Sequence, residues 1–171
     1  MKISYVVVVV ALLAVLMGAT MMVVAQPSMA SSFGVDDATG QPGASVIVPL
    51  NITNVHNGPI QSITFSLDYN ESVIQLQSIQ KGPLIADWLI VTLGDDKHSI
   101  ALNPMGGTSI PNGTSGTVLY LNFTVVGSVG DTTLMSPTSI DFSNESFQHG
   151  TAIPRVGTFT VVDTTPPILT V

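Results

Sequence analysis

Three histidines, two adjacent-carboxylate pairs and five Asn-x-Ser/Thr triplets are the groups in this chain with most chemistry in them. His56, His98 and His149 are scattered, and none has the close spacing of zinc ligands. Asp36-Asp37 and Asp95-Asp96 are neighbours in sequence. On a strand, neighbouring side chains point to opposite faces, so such a pair does not make an acid/base dyad. In a turn it could offer two oxygens to Ca²⁺, which takes about six to eight, and no D-x-D-x-D-G pattern supplies the rest. Solvated turns are the simpler reading, and no metal site is expected. Cysteine is absent, which excludes thiol chemistry, and no G-x-S-x-G, G-x-G-x-x-G or Walker loop is present. The expectation is a protein that binds rather than catalyses.

The triplets are Asn51-Ile-Thr53, Asn70-Glu-Ser72, Asn112-Gly-Thr114, Asn122-Phe-Thr124 and Asn144-Glu-Ser146, none with a central proline. In an exported chain they point to N-linked glycans on the exterior. Export is what the N-terminus implies. Lys2 precedes an apolar run from Tyr5 to Ala25 that closes on the small-residue exit Val23-Val24-Ala25. Residues 1–25 therefore read as a signal peptide cut between Ala25 and Gln26. The other reading is an uncleaved anchor, since the run approaches the roughly 20 residues that span a bilayer. Either way residues 26–171 lie outside the cytoplasm, and membrane contact is through this segment alone.

Past the leader the chain is acidic, with eleven Asp/Glu against Lys81, Lys97 and Arg155. That balance argues against nucleic acid and anionic membrane, both of which call for a basic face. About 130 folded residues close a core without disulfides.

The elements that must carry these groups have a period of two. Val46, Val48, Leu50 and Ile52 alternate with Ile47, Pro49, Asn51 and Thr53. Ile63, Phe65, Leu67 and Tyr69 alternate with Ser62, Thr64, Ser66 and Asp68, and Leu119, Leu121, Phe123 and Val125 with Val118, Tyr120, Asn122 and Thr124. Strands with one buried face have this signature. Strands are expected at 33–37, 45–54, 60–69, 73–80, 87–93, 98–103, 116–126, 132–142 and 155–162, divided by turn signals such as Gly40-Gln-Pro-Gly43, Asn57-Gly-Pro59 and Pro111-Asn-Gly113. Nothing past the leader has sustained helical periodicity. The fold class is all-β, a nine-stranded jelly-roll β-sandwich over residues 33–162. Residues 163–171, with Pro166-Pro167, read either as a linker opening a further Ig-like domain or as a terminal tail.

The ordered series of segments resembles the cohesin domain. Gly40-Gln-Pro-Gly-Ala-Ser-Val-Ile-Val-Pro-Leu50 is similar to that family's Gly-x-Pro-Gly entry into a strand ending Val-Pro-Val. Ile60-Gln-Ser-Ile-Thr-Phe-Ser-Leu-Asp-Tyr-Asn70 is similar to its third strand, with Asn70 where the family has Asp. Val73-Ile-Gln-Leu-Gln-Ser-Ile-Gln-Lys-Gly82, Gly116-Thr-Val-Leu-Tyr-Leu-Asn-Phe-Thr-Val125, Asp131-Thr-Thr-Leu134 and Ile140-Asp-Phe-Ser-Asn144 are similar to its fourth, seventh and eighth strands. The resemblance implies two sheets, in strand orders 8-3-6-5 and 9-1-2-7-4, with the first binding a dockerin-bearing protein. It implies no cofactor here, because the Ca²⁺ of such a complex belongs to the dockerin. It also implies a link to polysaccharide degradation or cell-surface assembly.

On that frame the partner-binding face would use Ser62, Thr64, Ser66 and Asp68, with Asn103 and Met105 from the Asn103-Pro-Met-Gly-Gly107 loop. Asn51 and Asn122 would project from the outer face of the second sheet, while the first-sheet strands as expected carry no triplet. Sugar would then cover one face and leave the other bare. Two other readings stay open. A carbohydrate-binding module would need an exposed aromatic platform; Tyr69 is on an inward pattern, and Trp88 and Tyr120 fall on different sheets, Trp88 reading as core or rim. A structural or adhesion domain of a surface glycoprotein would need no soluble partner.

Overall fold

The computed structural model describes residues 25–93, 98–104, 106 and 108–164. Residues 1–24 of the expected leader and 165–171 of the expected linker lie outside that set, as do Asp95, Asp96 and Met105. Eleven strands are formed: β1 (Ser28–Val35), β2 (Ala38–Gly40), β3 (Ser45–Val55), β4 (Ile60–Asp68), β5 (Ile74–Lys81), β6 (Trp88–Leu93), β7 (Ser99–Pro104), β8 (Gly116–Val125), β9 (Thr132–Asn144), β10 (His149–Arg155) and β11 (Gly157–Val161). A single 3₁₀ turn, Pro83–Ile85, interrupts them among the described residues.

One sheet runs β9-β4-β7-β6 and the other β5-β8-β3-β1-β10. The first is the implied order 8-3-6-5; in the second, β10 (149–155) takes the place beside β1, while the expected ninth strand, 155–162, falls on β11 and pairs with β9 and β2. The count rises from nine to eleven because the first and last strands each bend in two. β1 pairs parallel with β10, and β2 parallel with β11. The bend lets this ribbon change sheets, since β1 lies beside β3 while β11 lies beside the first residues of β9. The ribbon is pinned at the bend. Arg155 forms an ion pair with Asp36, and the Thr158 N–H donates to Asp37 Oδ1 at 2.7 Å. A side chain at Gly34 would collide with the Arg155 carbonyl, and one at Gly157 with the Asp36 carbonyl. Asp36-Asp37 thus closes a strand junction.

The alternating residues meet between the sheets. Phe33 of β1 packs edge-on against Phe65 of β4 and Phe142 of β9, with ring centroids at 5.0 and 5.4 Å. Edge-to-face contacts of this kind add about 0.5–1.5 kcal/mol each beyond the area they bury. Trp88 is fully buried and donates its indole N–H to the Thr108 carbonyl at 2.9 Å, so it is a core residue. Tyr69 packs against the core beside Phe123, as its inward phase predicts.

Four details depart from the sequence pattern. β1 begins at Ser28, ahead of residue 33, and Met29 and Ala30 enter the core. β9 runs on to Asn144, beyond residue 142. β10 forms from residue 149, ahead of residue 155. Its Gly150 and Pro154 hide a strand signal, and Pro is tolerated because beyond its β9 pairing at residues 149–150 the side of β10 away from β1 is unpaired. Val118 was placed outward with Tyr120 and Asn122 but is buried. The β3–β8 register shifts between Leu50 and Asn51, and the Pro83–Ile85 turn packs on β8 there.

Candidate functional site

β4 puts Ile63, Phe65 and Leu67 into the core, and Ser62, Thr64, Ser66 and Asp68 on the outer face of the first sheet. Strand register then sets their neighbours. Thr64 stands beside Ala101 of β7 and Asp141 of β9, and Ala101 stands beside Val91 of β6. Ser66 lies between Ser99 and Thr138. Leu89 faces Asn103, one residue past Leu102, which pairs Ile63. The five described candidates, four on β4 and Asn103 at the end of β7, therefore share one surface. Met105 lies outside the described residues.

Across that surface the chemistry is graded. The β6 edge is apolar, with Leu89 44% and Val91 39% exposed where a solvated edge would carry polar groups. The centre is a field of hydroxyls that bond one another. Ser62 and Ser143 Oγ are 2.6 Å apart, Ser66 and Ser99 Oγ 3.1 Å, and Thr138 Oγ1 donates to Asp68 Oδ2 at 3.2 Å. The β9 side is acidic. Asp141 takes His149 Nδ1 at 2.8 Å and the Gln26 carboxamide N–H at 3.2 Å. At one end, a shallow cleft of about 420 Å³ brings Ser62 and Asn103 together with Ser143, Phe147 and His149. Phe147 is 82% exposed and has φ of 57°, a left-handed conformation that bulky residues rarely adopt. The Asn144 carboxamide fixes that turn, its oxygen accepting the Ser146 and Gln148 N–H groups.

Leu89, Val91, Ala101, Asp141, Ser143 and Phe147 were not among the sequence candidates. Trp88-Leu-Ile-Val91 is apolar throughout, so it has no readable phase until Trp88 is known to be buried. Asp141 and Ser143 do alternate with Ile140 and Phe142, which was a usable signal.

The opposite outer face has another character. Asn51 accepts a hydrogen bond from Thr117 Oγ1 at 2.8 Å, and Asn122 from Ser45 Oγ at 2.6 Å. Both are partly accessible in mid-strand on β3 and β8, as the alternation placed them. Asn70 and Asn112 lie in turns, where Asn70 bonds Ser72 and Asn112 bonds Gly58. Asn144 corrects the expected asymmetry, because the longer β9 brings this triplet to the last residue of a first-sheet strand. It sits at the end of that sheet, outside the Val91–Ala101–Thr64–Asp141 row.

The three histidines stay apart. His56 bonds Ser28 and the Asn54 carbonyl, His98 bonds Glu71 and stacks on Tyr69, and His149 bonds Asp141. Among the described residues no group of three or more His, Cys, Asp or Glu could hold a metal ion, and no helix is long and apolar enough to cross a membrane.

A two-sheet jelly roll with one open, chemically graded sheet face defines a β-sandwich recognition module. The sequence matches the family model for the cohesin domain over residues 31–153, and the chain belongs to that family. Solved structures share its fold. The OlpC cohesin in a type I cohesin–dockerin complex from Clostridium thermocellum superposes with a TM-score of 0.67 at 20% identity, covering 80% of this chain and 96% of that one. The seventh ScaB type I cohesin of Pseudobacteroides cellulosolvens gives 0.65 at 20% identity, over 79% and 94%. A non-cellulosomal cohesin from the archaeon Archaeoglobus fulgidus gives 0.63 at 18% identity, over 77% and 91%. No curated protein sequence matches the chain.

Proposed function

We propose that this chain is a non-catalytic docking module, and that the outer face of β9-β4-β7-β6 binds a dockerin-bearing protein outside the cell. The observation that carries this is the exposed Leu89–Val91 edge beside the hydroxyl field of Ser62, Thr64 and Ser66. An apolar strip adjoining directional polar groups suits a partner helix with one apolar flank and one polar flank. Several solved relatives of the same fold are cohesin–dockerin complexes. Asn103 and Met105 would extend the contact at the cleft end. The Ca²⁺ of such a complex would sit in the dockerin. Glycans on Asn51 and Asn122 would leave this face clear. Export follows from reading residues 1–25 as a leader that is removed.

The carbohydrate-binding reading loses its main support, because Trp88 is buried and cannot stack on a sugar ring. The test is a pulldown with residues 26–171 of the native glycosylated protein from the secreted proteins of its source, with and without chelator. Capture of a protein with a duplicated Ca²⁺-loop module, lost on chelation, is expected. An empty pulldown would overturn the docking reading and favour a structural surface module.

A further inference from the structure

The fold limits where a removable leader can end. The Pro27 carbonyl accepts the Thr151 N–H at 2.9 Å, Met29 is 1% exposed, and its carbonyl accepts the His56 N–H at 2.8 Å. A cut after Pro27 would strip the first bond from the β1–β10 ribbon, and one after Met29 would empty a core position. The exit Val23-Val24-Ala25 ends one residue short of that limit. A cut there leaves Gln26 as the N-terminal residue, exposed to solvent.

An N-terminal glutamine carries a nucleophile and an electrophile in one residue. The structure adds a third group, since Asp141 Oδ1 lies 3.2 Å from the Gln26 side-chain nitrogen. Both Asp141 oxygens are in turn held by His149 Nδ1, at 3.1 and 2.8 Å. We propose that Gln26 of the mature chain closes to a pyroglutamyl terminus, with Asp141 carrying the proton. This rests on the leader reading above. The neutral α-amine nitrogen attacks Cδ, a new N–Cδ bond forms, the Cδ–Nε2 bond breaks, and Nε2 departs as ammonia. The proton lost by the amine passes through the Asp141 carboxylate to the leaving nitrogen. No oxidant or co-reactant is needed.

The product lacks both the terminal ammonium charge and the Nε2 donor. The β9 rim of the docking face then keeps the Asp141–His149 pair without a cation from the chain's own terminus, and the end is closed to aminopeptidases. The modification is thus a maturation step at the border of the binding surface.

The test starts with the N-terminal peptide of the protein exported by its source. A peptide beginning at residue 26, lighter by one ammonia and released by a pyroglutamyl peptidase, is expected. A peptide beginning at Gln26 with its full mass overturns the cyclisation and leaves the leader reading standing. A terminus elsewhere overturns both. The role of Asp141 is read from kinetics. A fresh Gln26 terminus on residues 26–171 is followed by mass, folded and in denaturant. The folded wild type should cyclise several-fold faster than the unfolded chain, Asp141→Asn should lose that gain, and Asp141→Glu should recover part of it. Equal rates for folded and unfolded wild type would overturn the assignment of Asp141.

Discussion

The two outer faces of this sandwich are made from the same kind of strand, yet they offer different surfaces. On β3 and β8 the outward positions include Asn51 and Asn122, each partly exposed and braced by a neighbouring hydroxyl. On β4, β7 and β6 they form a row from Thr64 through Ala101 to Val91, small or apolar and without a triplet. The inward halves of the strands are alike because both serve one core. The outward halves are free of that demand and can differ, although the second sheet also exposes aliphatic side chains, Ile47 at 58% and Ile153 at 71%. A surface with small groups at its centre and aliphatic side chains at its edge suits the docking proposed above.

That comparison can be broken by single changes. The largest effect is expected from Trp88→Ala, which should lower stability by about 3–5 kcal/mol, read by denaturant unfolding. Loss of glycan binding with unchanged stability would instead return Trp88 to the surface and the first sheet to a sugar platform. Next is Thr64→Arg. Asp141 stands in register beside it, so the new guanidinium has a partner and the fold is kept. Dockerin binding should fall by about 2 kcal/mol or more, roughly thirtyfold, by calorimetry. The matching change on the other face, Gln75→Arg on β5, should leave affinity unchanged; equal losses from both would erase the distinction. A smaller effect is expected from Leu89→Ser with Val91→Ser. Both residues are partly exposed, so stability should move by only about 0.5 kcal/mol, while affinity drops by about 1–2 kcal/mol. The smallest belongs to Asn51→Gln with Asn122→Gln, which should remove mass from the glycoprotein and leave dockerin affinity within error.

Much of the fold was legible because burial on one face enforces alternation. β3, β4 and, from Leu119 onward, β8 were read in the correct phase, and with them the outward placement of Ser62, Thr64, Ser66, Asp68, Asn51 and Asn122. β10 was not legible, since its strand pairs in parallel with β1 and owes its form to that partner rather than to its own pattern. The end of β9 was missed for a related reason. Ser143 and Asn144 are polar, and only their pairing with Ser62 and Ile60 of β4 makes them strand.

For the site, the sequence determined the chemistry of β4 from Ser62 to Asp68, because each of those residues is inward or outward by parity, which fails only at Ile60, where the register shifts. It also determined the acidic balance, the missing thiols and the positions of the triplets, which are properties of composition. The tertiary structure alone decided what stands next to what. Register brought Val91, Ala101, Thr64 and Asp141, from four strands, into one row, and it brought Gln26 to Asp141 across 115 positions of chain. Parity is local and can be read from one strand at a time. Register is a contact between distant segments, and no single segment contains it.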